Sequence, residues 1–258
     1  MAAHKKNSSR ARRKLETDSQ IQEDLLGGQE SLDANFLNRN IKLRQFPWTD
    51  KQKEFFKIAL NPDTKIVFVN GPAGTSKTLL STYCSLQLLN MKVISDIMYL
   101  RSAVESSDRS LGYLPGSAEE KLRFFNLPFI DKLEELLLET RVEKLENEKR
   151  ISMFPVNFAR GMNWANKCII LDEAQNSTLK EITTVLTRMG KNSRCFVLAD
   201  PMQTDLKHEE KQGGFDRMIK TFSDQESSAM GIHVFHFNED DVMRSELVKF
   251  LVKKFKQM

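Results

Sequence analysis

The sequence predicts an α/β fold, a mostly parallel sheet flanked by helices, and three observations carry the prediction. An apolar run over 65–70 passes through Gly71-Pro72-Ala73-Gly74-Thr75-Ser76-Lys77-Thr78 directly into a helical stretch. Short apolar runs recur along the rest of the chain between helical stretches, the alternation expected of crossover-connected parallel strands. One of these runs, Cys168-Ile169-Ile170-Leu171, ends in Asp172-Glu173, at the carboxyl edge where open α/β sheets hold ligands. The 258 residues, 40% of them hydrophobic, suffice for one large domain with appendages.

In chain order, residues 1–45 read as a basic, flexible N-terminal tail. Lys5, Lys6, Arg10, Arg12, Arg13 and Lys14 cluster there, followed by a polar acidic stretch and Gly27-Gly28. Too few large apolar side chains are present to offset the entropy of ordering. The basic cluster suits RNA or DNA phosphates, and equally a solubilising or targeting arm. The domain proper is expected over 46–258. Thr49 or Asp50 caps a helix through Gln52, Phe55, Phe56 and Ile58 to Leu60, which Asn61-Pro62 stops. Strand 65–70, the glycine loop and a helix over 77–91 follow. Further strands are expected over 97–100, 153–158, 167–171, 195–198 and 233–237. The charge-dense run 141–150 reads as a solvated helical face or hairpin.

Several classes are disfavoured. No run approaches the roughly 20 apolar residues of a membrane-spanning helix, and the first residues lack the apolar stretch of a secretory signal. Cys84, Cys168 and Cys195 lie in apolar segments at spacings that fit neither a CxxC pair nor a disulfide framework. Reduced core cysteines and a cytoplasmic location are the reading. The net charge of +4 is too small to establish a polyanionic partner by itself.

The chemistry resides in three segments. In a phosphate-binding loop, backbone N–H groups and a helix N-terminus surround the anion, so side chains must stay clear, and Gly71 and Gly74 meet that demand. Lys77 would reach the β- and γ-phosphates of ATP, and the Thr78 hydroxyl would ligate magnesium. Ser76 stands where the GxxxxGK[ST] pattern has its second glycine; serine is small and is expected to take helical angles at the start of the helix. Asp172 would hold magnesium, and Glu173 would orient or deprotonate the attacking water. A bare Asp-Glu after a strand is also an ordinary helix cap. In the third segment, Val197-Leu198-Ala199-Asp200-Pro201-Met202-Gln203, the polar groups again follow a strand. Gln203 could contact the γ-phosphate or its water, or the segment could be a plain Asp-Pro turn.

From about Thr49 onward the chain resembles the PhoH family, ATPases related to superfamily 1 helicases. The resemblance runs through Gly71-Pro72-Ala73-Gly74-Thr75, Arg101-Ser102-Ala103-Val104-Glu105, Leu111-Gly112-Tyr113-Leu114-Pro115-Gly116, Leu171-Asp172-Glu173-Ala174-Gln175-Asn176, Leu186-Thr187-Arg188-Met189-Gly190, Asp200-Pro201-Met202-Gln203-Thr204-Asp205-Leu206 and Asp241-Val242-Met243-Arg244. It implies a RecA-like P-loop core that hydrolyses ATP with Mg2+. By the same resemblance Gln52 would contact adenine, Gln203 would sense the γ-phosphate, and Arg188 or Arg244 would neutralise transition-state charge. The departures are Ser76, Ala199 where glycine is usual, and Met162 where an arginine is usual after Arg160-Gly161. Superfamily 1 helicases close their site between two RecA-like domains, whereas this sequence carries one set of nucleotide motifs. A homo-oligomer, such as a ring hexamer, is therefore expected. RNA or single-stranded DNA is the expected macromolecular partner of a helicase-like motor; the alternative is a slow nucleotide-gated regulatory or assembly ATPase that unwinds nothing.

Overall fold

The computed structural model describes residues 41–102, 118–137, 139–156, 163–204 and 214–255. Residues 1–40 of the tail expected over 1–45, the family segment 111–116 and the departure at Met162 lie outside them. Six strands, β1 (Ile66–Asn70), β2 (Asp96–Arg101), β3 (Ile151–Pro155), β4 (Lys167–Asp172), β5 (Arg194–Ala199) and β6 (Ile232–His236), pair in the order β3-β2-β4-β5-β1-β6. Every neighbouring pair is parallel, so the expected α/β class, a RecA-like parallel sheet with helices, is what the chain adopts. β5 lies between β1 and β4. In register, Asn70 faces Ala199 and Leu171 faces Val197, so the segments after β1, β5 and β4 emerge side by side at one edge.

Alternating strand residues feed two cores. Val67, Val69, Tyr99, Ile170 and Phe196 point to the face covered by helices α1 (Asp50–Ala59), α2 (Lys77–Asn90) and α3 (Ala118–Leu136), where Phe55, Leu80, Cys84, Phe129 and Leu133 are buried. Phe68, Met98, Ile169, Leu171 and Val197 point to the other face. There they meet Ile182 and Val185 of α5 (Leu179–Leu186) and Phe215 of α6 (Gly214–Thr221). The three cysteines are free and buried, as expected.

Thr49 caps α1 through a complete capping box: its hydroxyl accepts from Gln52 N (3.2 Å) and Gln52 Oε1 accepts from Thr49 N (3.0 Å). At the other end Arg194, buried at the start of β5, donates to the carbonyls of Ala59 and Asn61, both at 2.7 Å. A cation there satisfies carbonyls that a helix terminus leaves without donors. After α7 (Gln225–Ala229), Gly231 turns the chain into β6 with φ +83°, and a Cβ on it would lie 2.1 Å from Asp63 O.

One expectation needs correction. Residues 41–45 belong to the folded body: Ile41 and Leu43 are buried, Ile41 exchanges hydrogen bonds with the Asn90 side chain (2.7 and 2.8 Å), and Arg44 N donates to Leu136 O (3.0 Å). Their apolar content is diluted in a polar window. The charge-dense run is a solvated helical face as expected: helix α4 (Glu139–Asn147) exposes Glu143, Lys144 and Asn147, while its Val142 and Leu145 are core and Arg150 beyond it is buried against Asp96 (3.7 Å). Among the described residues no helix is long and apolar enough to cross a membrane.

Candidate active site

The loop after β1 has the tight backbone that a phosphate-binding loop requires. Gly74 has φ +84°, and a Cβ there would approach Arg244 Cγ to 2.9 Å. Thr75 is buried and its hydroxyl donates to Pro72 O (2.9 Å), tying the loop to itself. Ser76 departs from the expected helical angles: at φ 64° and ψ 22° it is left-handed. That conformation explains the glycine usual at this position, because only glycine enters it without strain. No side chain caps α2, so the N–H groups of its first turn are open, in the arrangement that would suit an anion and that the helix dipole would favour.

Lys77 Nζ donates to Gly71 O (2.6 Å) and Pro72 O (3.0 Å). Burial pushes its ammonium below the ordinary lysine range, opposed by the charges of Asp200, Asp172 and Glu173. Thr78 Oγ1 donates to Asp172 Oδ2 (3.0 Å), so the two expected metal ligands, brought from α2 and β4, touch. Asp172 is buried; the same Oδ2 accepts from the Tyr99 hydroxyl (2.8 Å), and Oδ1 accepts from Glu173 N (3.0 Å).

Glu173 lies in the left-handed region (φ 54°), which turns its side chain out of the strand direction. Burial raises its carboxyl above the ordinary range, and the neighbouring Asp172 charge adds to the rise. Gln175 holds it: Nε2 donates to Glu173 Oε2 (2.6 Å) and Oε1 accepts from Asp200 N (3.1 Å). One buried amide thus joins the segment after β4 to the segment after β5. Arg101 Nη2 stands 3.9 Å from Glu173 Oε1.

Ala73, Gly74, Ser76, Lys77, Thr78, Asp172, Glu173, Asp200, Gln203 and Arg244 all face one cleft of about 380 Å³. Gln203 stands at its exposed rim. Met243 N donates to Gly74 O (2.8 Å), which lays Arg244 over the loop of its own chain. Arg188 is elsewhere. It follows α5, and its carbonyl accepts from Trp164 N (2.8 Å) in the segment that leads into β4. It therefore sits at the amino edge of the sheet, about 20 Å of strand away from the loop. Gln52 does not line the cleft; its Oε1 is engaged in the α1 cap.

Sequence reasoning gives no role to Gln175, Tyr99 or Asp200. Gln175 and Asp200 stand inside segments already singled out, and a polar side chain next to paired carboxylates is the available signal. Tyr99 carries none, since an aromatic in an apolar strand reads as core.

A family profile described as PhoH-like protein matches residues 46–256. A PhoH-like protein of Synechocystis sp. is 31% identical over 209 residues, covering 81% of this chain and 61% of that one. A PhoH-like protein of Mycobacterium bovis is 33% identical over 226 residues, covering 88% and 62%. The chain thus spans about three fifths of the length of these relatives. Among solved structures, the large terminase of a thermophilic bacteriophage aligns with TM-score 0.48 and 12% identity over 81% of this chain and 50% of that one. With the profile spanning nearly all of the described fold and the relatives agreeing, the chain belongs to the PhoH-like protein family.

Proposed function

We propose that this chain hydrolyses ATP with magnesium and couples the cycle to binding or remodelling of RNA or single-stranded nucleic acid. The observation that carries the reading is the meeting of Lys77, Thr78, Asp172, Glu173 and Gln203 at one cleft around an uncapped helix N-terminus. The triphosphate would be held by backbone N–H groups of 74–78 and by Lys77. Thr78 and Asp172 would hold the magnesium ion. Both offer hard oxygen donors, which suits an ion that takes one or two protein ligands beside phosphate oxygens and water. When bound, the metal supplies neutralisation of charge developing on the phosphate oxygens.

Glu173, backed by Gln175, would orient the attacking water and accept its proton. Gln203 would read the γ-phosphate, and the Gln175 link to Asp200 supports a path from that reading to the β5 loop. Arg244, packed on Gly74, would act within its own chain. Arg188, at the opposite sheet edge, could serve only a neighbour's cleft, which supports a homo-oligomer, with a ring hexamer as the arrangement that supplies one Arg188 to each cleft. Buried free thiols support a cytoplasmic setting.

The test is phosphate release by the wild type with and without magnesium, against Lys77→Ala and Glu173→Gln. Magnesium-dependent turnover, lost in both variants and stimulated by single-stranded RNA in a salt-sensitive way, is the expected result. No turnover in the wild type would retire the reading. Turnover indifferent to nucleic acid would replace the motor with a nucleotide-gated regulator.

A further inference from the structure

Two side chains near the end of β2 tie both carboxylates of the site to α3. The Tyr99 hydroxyl donates to Asp172, and its ring stacks on Phe129 of α3 with centroids 4.3 Å apart and planes 6° apart. Arg101, two residues on and therefore on the same face, opens a second route. Its Nη1 donates to the backbone carbonyl of Phe125 (2.7 Å), its guanidinium lies 5.3 Å from the Phe125 ring centroid, and Nη2 stands at ion-pair distance from Glu173. Register places Arg101 directly opposite Asp172, so the reach to Glu173 is short.

Phe125 and Phe129 are one turn apart on α3, and Pro128 lies between them. Proline has no N–H, so this turn of the helix lacks one of its own hydrogen bonds and bends easily. Farther along the same helix, Lys132 and Glu135 line the cleft. One helix thus lines the cleft at one end and, at its weakened turn, reaches both carboxylates through Tyr99 and Arg101.

We propose that Arg101 is a positioning residue for Glu173 and that α3 acts through it as a lever on that carboxylate; the inference rests on the ATPase reading above. The left-handed backbone of Glu173 frees its side chain from any helical or strand direction, so its two oxygens need external partners. Gln175 holds Oε2, and Arg101 stands beside Oε1. A guanidinium can serve a carbonyl, an aromatic face and a carboxylate at once, and a lysine ammonium cannot. Among the described residues the side-chain hydrogen bond and ion pair of Arg101 go to Phe125 and Glu173, not to the loop or α2 proposed to hold nucleotide, so its loss bears on turnover and leaves binding alone.

The experiment compares full-length wild type, Arg101→Gln and Arg101→Lys by magnesium-dependent ATP turnover, affinity for a fluorescent ATP analogue, and hydrogen–deuterium exchange without nucleotide. Turnover in Arg101→Gln falls about 10- to 100-fold, as is usual when a group supporting a catalytic ligand is lost, while KM and analogue affinity stay within about twofold. Arg101→Lys recovers part of the loss and guards against a variant that fails to fold. Exchange accelerates together over 125–130 and 173–177. Turnover near the wild-type value, a loss carried by KM, or unchanged exchange over 173–177 would overturn the proposal. A wild type that releases no phosphate defeats the ATPase reading instead; the exchange measurement then decides the lever alone, and segments that respond independently sink it.

Discussion

Replacing Ser76 probes the backbone of the phosphate loop directly. Its φ of 64° costs an L-residue about 1–2 kcal/mol relative to ordinary regions. Glycine escapes that cost but loses about 0.5–1 kcal/mol more chain entropy on folding. The Ser76 side chain makes no capping bond, so nothing else is lost with it. Ser76→Gly therefore stabilises the fold by about 0.5–1 kcal/mol, and Ser76→Val, whose branched Cβ crowds a left-handed backbone, destabilises it by about 1 kcal/mol or more. The span of about 2 kcal/mol corresponds to roughly 4–8 °C in Tm for a chain of this size. Calorimetry with matched urea titrations gives the order Gly, Ser, Val. A valine variant as stable as the glycine variant would refute the left-handed assignment, and with it the explanation for the glycine usual at this position.

Arg194→Met strands the carbonyls of Ala59 and Asn61, and urea denaturation should show a loss of about 2–4 kcal/mol with phosphate release by the remaining folded protein unchanged. Gly231→Ala combines a positive φ with a 2.1 Å overlap on a backbone oxygen, so its loss is at least about 3 kcal/mol; a fully stable variant would contradict the turn. Gln175→Leu should lower ATP turnover about 10- to 100-fold while leaving analogue binding intact, since it releases both Glu173 and the β5 segment. Burial pushes the Cys168 thiol up to about 12 and raises Cys84 and Cys195 as well. An unfolded thiol ionises near pH 9.0 while the folded one stays protonated, so this stability is complete below that pH and drains away as pH climbs toward 12. A pH series of urea midpoints follows the decline, and at pH 8 a thiol reagent should label the cysteines only after unfolding.

Much of this protein is legible in its amino-acid sequence. The expected starts of β1, β2, β4, β5 and β6 fall within one or two residues of the observed ones, because each strand is a short apolar run bounded by polar or turn residues. The loop, Thr78, Asp172 and Glu173 stand out as candidates in the sequence because their residue types and spacing are those that phosphate chemistry would need, and the structure brings them to one cleft. Arg150 and Arg194 are not, since a buried arginine looks like a surface one until its acceptors are known. Ile41 and Leu43 escape for a related reason: two apolar residues in a polar window acquire meaning only from Asn90 and Leu136, which lie far along the chain.

By itself the sequence determined which elements form and which chemical groups the chain carries, since periodicity, caps and glycine placement act over a few residues. Tertiary structure alone decided which of those groups meet. The strand order sets β5 between β1 and β4 and so lets Gln175 bridge two segments, while the same order leaves Arg188 at the far edge and lays Arg244 over Gly74. Such meetings depend on packing between residues distant in the chain, which no local pattern encodes, and they separate a set of phosphate-binding motifs from a cleft with its carboxylates in place.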